Sequence, residues 1–153
     1  MTASASSAND MVVVDTNILV GLLIDGPFTA MALALREADA DWHSEPFILV
    51  EFANVLATQV RAKRAELTDA LLALHRAQHS LGLVLHAVDH GDALALASDY
   101  GVSAYDARYL TLARTLGQRL ITEDAALRRK APALTQSLAE ALAAPPPLQP
   151  ASA

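Results

Sequence analysis

A four-residue apolar run, Met11-Val12-Val13-Val14, ends on a carboxylate, Asp15, and Thr16-Asn17-Ile18-Leu19 follows without a break. The run is too short for a helix and rich in β-branched valine, which suits a buried strand. A helix is expected to start directly after it. In parallel α/β sheets, ligand sites lie just beyond the carboxyl ends of the strands. Asp15 sits at such an end. The feature that restricts the fold therefore also marks where chemistry would be found.

The pattern recurs along the chain. Residues 16–23 and 28–40 read as helices, separated by Gly26-Pro27. Asp41-Trp42-His43 reads as a short, strand-like connector. Ser44 fits a helix N-cap with Glu45 and Pro46 in the first turn, and that helix is expected to run to about Arg64. Residues 67–81 read as the next helix, broken by Gly82 before a strand at 83–86. Residues 89–100 read as a helix with Gly101 as its C-terminal cap, and Ser103 caps another over 104–116. A strand at 119–122, a short helix at 124–130 stopped by Pro132, and an edge strand within 133–138 complete the series. This alternation predicts an α/β fold: a three-layer α/β/α sandwich with a parallel sheet of four or five strands and right-handed crossovers. The 153 residues favour one domain. It is placed at 11–142, between a small polar leader at 1–10 and a proline-rich tail at 143–153, both expected to be disordered.

Composition removes several classes of function. There is no cysteine, hence no disulfide, thiolate catalysis or Cys-based zinc site. The leader lacks the basic and apolar segments of a signal peptide. No apolar run approaches the ~20 residues of a membrane-spanning helix. A soluble, cytoplasmic protein with no membrane partner is expected. The net charge of −6 weighs against a nucleic-acid binder. Metal-bound acids would offset that charge, and the cations are unevenly placed: Arg61, Lys63 and Arg64 cluster, and Arg128-Arg129-Lys130 are consecutive.

Three further acids join Asp15 in comparable settings. Asp124 follows the 119–122 strand at the start of the next helix, Asp106 lies in the first turn of the Ser103-capped helix, and Glu51 lies two turns into the Ser44 helix. Each also has a purely structural reading. Asp15 and Asp124 occupy N-cap positions, and Asp106 occupies the capping-box position opposite Ser103. Glu51 resists that reading, because Ile48, Leu49, Val50, Phe52, Val55 and Leu56 surround it and imply a largely buried helix. Four carboxylates in one cleft repel one another unless compensated. A hard divalent cation with oxygen ligands, Mg²⁺ above all, resolves the conflict without Cys or His and invites phosphoryl chemistry.

With these acids in place the chain resembles the PIN-domain ribonucleases, in particular the VapC-like toxins of toxin–antitoxin modules. The matching segments are VVVDTNILVGLL at 12–23, SEPFILVEFANVL at 44–56, VSAYDARYLTLA at 102–113 and LITEDAALR at 120–128. The resemblance implies that Asp15, Glu51, Asp106 and Asp124 are the metal-binding, catalytic acids, with Thr122 a hydroxyl near the metal and Asn17 a polar neighbour of Asp15. It implies Mg²⁺-dependent endonucleolytic cleavage of RNA by a metal-activated water, with Mn²⁺ able to substitute. It further implies a homodimer and a small antitoxin partner. Arg61, Lys63, Arg64 and Arg108 are candidate RNA contacts, although cations at a helix end also complement its dipole.

Other features carry less. His75 and His79 are spaced for a helical metal pair, but no acid of the main set adjoins them, and a solvent-facing role is expected. Trp42, the one tryptophan, is expected in the core or an interface. A phosphohydrolase using an aspartyl nucleophile would need a second Asp two residues after Asp15, where Asn17 stands. A non-catalytic PIN-like module that binds RNA or protein is the remaining alternative.

Overall fold

The computed structural model describes residues 11–143, so the expectations for the 1–10 leader and for 144–153 of the tail lie outside the described residues. Within them the order is β1 (Met11–Val14), α1 (Thr16–Leu23), α2 (Thr29–Ala38), β2 (Asp41–Ser44), α3 (Phe47–Arg61), α4 (Leu67–His75), a π-helical turn (Arg76–Ser80), β3 (Val84–Leu85), α5 (His90–Tyr100), α6 (Ala104–Thr115), β4 (Leu120–Ile121), α7 (Ala125–Lys130), β5 (Thr135–Gln136) and α8 (Leu138–Ala143). All five strands are parallel, in the order β3-β2-β1-β4-β5.

That order positions the site. From β1 through β2 to β3 the chain moves one way across the sheet; from β3 it crosses to β4 and continues to β5 the other way. With right-handed crossovers, α1–α4 fall on one face and α5–α7 on the other, giving the expected three-layer sandwich. The direction reverses between β1 and β4, where the loops leave in opposite directions and a crevice opens at the carboxyl edge. Val13 pairs with Leu120 and Val14 with Ile121, so Asp15 and Thr122 stand side by side at the mouth of that crevice. Val13, Val14, Leu120 and Ile121 are buried beneath it, among Ile18, Phe52, Leu110 and Leu112.

The strand-like 41–43 segment is a full strand next to the centre of the sheet, in register with β1 from Met11↔Asp41 to Val13↔His43. Four other local expectations need correction. Ser44 does not cap α3. It ends β2, fully buried, and its hydroxyl donates to the Val14 carbonyl at 2.7 Å. The helix after it starts at Phe47 and ends at Arg61, three residues short of Arg64. The 67–81 helix changes to a π-helical turn at Arg76. The tail's first residue, Ala143, closes α8, a helix the sequence reading lacked. The edge strand expected within 133–138 is present as β5.

Among the described residues Lys63 is the one non-glycine with positive φ, at 58°. It ends α3: its amide donates to Val60 at 3.0 Å and that of Arg64 to Gln59 at 2.9 Å, a left-handed termination that glycine usually provides. Lys63→Gly is expected to raise stability by about 0.5–1 kcal/mol, since the relieved strain exceeds the added freedom of the unfolded chain. A shift in urea midpoint measures it; an unchanged or lower midpoint refutes the strain.

Candidate active site

Asp15 is 5% exposed, and its Oδ1 has no hydrogen-bond partner. It occupies the N-cap position of α1, yet the geometry shows no side-chain cap. Burial pushes its pKa from 3.8 up to about 7, and the nearby Asp106 and Glu51 charges push the same way; the Thr122 hydroxyl moderates the rise. A buried acceptor without a donor costs free energy. A purely structural role therefore does not account for this carboxylate.

Glu51 is better supported than its sequence suggested. It is half-buried rather than enclosed, because α3 is two-sided: Phe52 is buried while Val50 is 60% exposed. Its Oε1 accepts from Thr16 Oγ1 at 2.9 Å and from the Tyr109 hydroxyl, and those two hydroxyl oxygens lie 3.0 Å apart. Burial, then the Glu51 bond, drives the Tyr109 hydroxyl far above its ordinary range and holds it protonated as a donor. Thr16 and Tyr109 went unnoticed in the sequence. The usable signal was spacing: Tyr109 follows Asp106 by three residues and so shares its side of α6.

Asp106 is half-buried. Burial raises its pKa first, then the charges of Asp124 and Glu51, while Ser103 and Lys130 draw it down. The Ser103 hydroxyl accepts the Asp106 amide at 3.1 Å, so the predicted cap of α6 is present. Asp124 also caps its helix: its Oδ1 accepts from Leu127 N at 3.1 Å, and its own amide donates to Thr122 Oγ1 at 3.1 Å. Thr122 is fully buried and couples Asp124 to Asp15. Capping and membership of the acidic group thus coexist in Asp106 and Asp124. The four carboxylates form one electrostatically connected set.

Among the described residues no three carboxylates or imidazoles are set to hold an ion by themselves. The donors nonetheless suit a hard divalent cation. They are all oxygen, they repel one another, and one buried oxygen lacks a partner; Mg²⁺ ordinarily keeps several waters and needs only one or two carboxylates directly.

Of the four acids Glu51 lines a cleft of about 470 Å³, together with Thr16, Asn17 and Asn54 on its polar side and Phe47 and Tyr105 on its aromatic side. The cations fall into two groups. Arg61, Lys63 and Arg64 are exposed at the far end of α3. Arg108 is engaged: its guanidinium meets His90 Nδ1 at 3.1 and 3.2 Å, lies 3.8 Å from the buried Glu45 Oε1 and 5.9 Å from the Phe47 ring centroid. His75 and His79 are exposed, with ring centroids 4.7 Å apart.

Residues 12–132 match the PIN domain family. The chain belongs to it. The sequence is 30% identical over 125 residues to ribonuclease VapC3 of Pyrobaculum aerophilum, covering 80% of this chain and 95% of that one. The fold superposes on the crystal structure of PAE2754 from Pyrobaculum aerophilum with a TM-score of 0.69 at 23% identity, covering 86% of this chain and 93% of the other. The match runs from Val12 in β1 to just past α7, taking in four of the five strands and every residue of the acidic set.

Proposed function

We propose that this PIN domain is a Mg²⁺- or Mn²⁺-dependent endoribonuclease, the toxin of a VapBC-type pair. The observation that carries the reading is the buried, unpartnered Asp15 Oδ1 at the switch point of the sheet, within reach of the charges of Glu51 and Asp106. Asp15, Glu51 and Asp106 would hold the cation directly or through water, and Asp124 would complete the set. When bound, such a cation neutralises phosphate charge and lowers the pKa of an attacking water. The chain's own residues do the rest. Thr16 and Tyr109 fix the Glu51 carboxylate by donating to one of its oxygens. Thr122 orients Asp15 and anchors the backbone of Asp124. Asp15, with a pKa of about 7, exchanges its proton near neutrality, so the site loads as pH rises.

The partner expectations rest on kinship and surface. Between α3 and α4 runs an apolar groove of about 270 Å³ that includes Leu56, Val60, Leu67 and Leu71, with Leu67 60% and Leu71 56% exposed. A helical segment of an antitoxin would cover it. A homodimer is expected from the family, and the exposed Leu33 on α2 and Leu94 on α5 are surfaces a second copy would bury. No helix among the described residues is long and apolar enough to cross a membrane.

Purified protein is expected to cut RNA with Mn²⁺ or Mg²⁺, to stop on addition of EDTA, and to resume when the metal is restored in excess. Cleavage that persists in EDTA removes the cation from the reading. Failure to cut any RNA under these conditions favours the non-catalytic module.

A further inference from the structure

Phosphodiester cleavage makes no use of the aromatic side of the cleft. Tyr105 is 63% exposed although it adjoins Asp106 in sequence. Its ring lies nearly parallel to that of Phe47, with centroids 5.3 Å apart and an interplanar angle of 9°. Phe47 is braced in turn. The Arg108 guanidinium stands 5.9 Å from its centroid and is itself held by His90 and Glu45. Glu45 Oε2 also accepts the Phe47 amide at 2.6 Å. The pair is therefore a fixed aromatic surface in which the outer ring remains open to solvent.

The rest of the cleft explains what that surface faces. Phe47, Val50, Glu51, Asn54, Thr58 and Arg61 recur at helical spacing and share one side of α3. From Phe47 to Arg61 this stripe runs about 21 Å. It begins at an aromatic ring, passes Glu51 and the exposed Asn54 amide, and ends at the exposed Arg61. Those are the groups that a nucleotide strand meets in turn with its base face, its reacting phosphate, its base edges and its backbone. A flat aromatic surface accepts a base only when that base is unstacked from its neighbours.

Resting on the ribonuclease reading, we propose that Tyr105, supported by Phe47, is a stacking platform for one unpaired nucleobase next to the Glu51 carboxylate. Asn17 and Asn54, both exposed and both lining the same cleft, face the edge of that base and bias its identity.

The test uses a short fluorescein-labelled single-stranded oligoribonucleotide spanning a site that the enzyme cuts, a set of copies each with one abasic residue, and its duplex. Binding is read by anisotropy in an Asp15→Asn background, and cleavage in the active chain. Tyr105→Ala is expected to weaken binding roughly tenfold or more. It should raise KM more than it lowers kcat, while Tyr105→Trp retains affinity. One abasic position should cost the parent a similar factor and cost Tyr105→Ala nothing further, and the duplex should bind weakly to both. If the parent cuts RNA and Tyr105→Ala binds and cuts as the parent does, the platform is wrong and the nuclease reading stands. The platform is equally wrong if every abasic loss is undiminished in Tyr105→Ala. If the parent cuts no RNA, the nuclease reading fails and takes the platform with it.

Discussion

Asp15→Asn is expected to abolish RNA cleavage, by more than about a hundredfold, and at the same time to make the metal-free protein more stable at pH 8. The two effects have one cause. Asp15 is a buried carboxylate whose pKa rises from 3.8 to about 7 on folding, chiefly through burial. Between those values the folded chain binds the proton more tightly than the unfolded chain, so stability falls as pH rises through that window. The contribution is fully present below about pH 4 and lost above pH 7. At about 1.4 kcal/mol per unit, a shift of some three units sets an upper limit near ~4 kcal/mol, and relaxation in the ionised state reduces it to about 1–3 kcal/mol. Asn has nearly the same shape and no charge to bury. The variant should match the wild type near pH 4 and exceed it at pH 8. Added Mg²⁺ should raise the melting temperature of the wild type at pH 8 and leave Asp15→Asn unmoved. Thermal melts at both pH values, with and without metal, decide this. Full cleavage by the variant would sink the site assignment; a variant less stable at pH 8 would sink the buried-charge account.

Much of the fold was legible because it was written in short-range signals. The valines before Asp15 gave β1. Ser103 gave the start of α6 through its bond to the Asp106 amide, and Gly101, with φ 65°, gave the end of α5. The order of acids along the chain also picked out the four carboxylates that the fold couples electrostatically. β2 was legible in part: Asp41-Trp42-His43 reads as strand-like, but with one apolar residue in Asp41-Trp42-His43-Ser44 its place beside the central strand does not show. Its buried polar residues take part of their partners from far along the chain. His43 meets His86 at 2.8 Å as well as Asp41 at 2.9 Å, and Ser44 meets Val14. Pairing with β1 overrode the local preference. Glu51 failed for the opposite reason. Its sequence neighbours are apolar, but they divide between two sides of α3, and the acid lies at the boundary, where Tyr109 and Thr16 reach it. The packing of Arg108 was not legible either, because Glu45, Phe47 and His90, which surround it, lie far from it in the chain.

The chain's one tryptophan and its most exposed tyrosine are expected to give opposite results when cut to alanine. Trp42 is fully buried on β2 and opposes Val12 of β1; its Nε1 donates to the Asp39 carbonyl at 2.9 Å, and the Arg36 guanidinium lies 5.6 Å from its ring. Trp42→Ala removes the largest buried side chain beside the central strand and leaves a cavity that the rigid sheet cannot close. The expected loss is about 3–5 kcal/mol, against a total of about 5–15 kcal/mol for a domain of this kind. The variant should therefore unfold at a much lower urea midpoint, followed by far-UV circular dichroism because its one tryptophan is gone. It should also lose activity before it loses secondary structure. The neighbouring Ser44 is what ties β2 to the Val14 carbonyl, one residue before Asp15, so a loosened β2 releases the tip of β1. Tyr105→Ala, at 63% exposure, should leave the midpoint within about 0.5 kcal/mol of the wild type. A Trp42→Ala chain that melts like the wild type would mean that β2 is the connector its sequence resembles, and that the switch-point geometry around Asp15 does not depend on it.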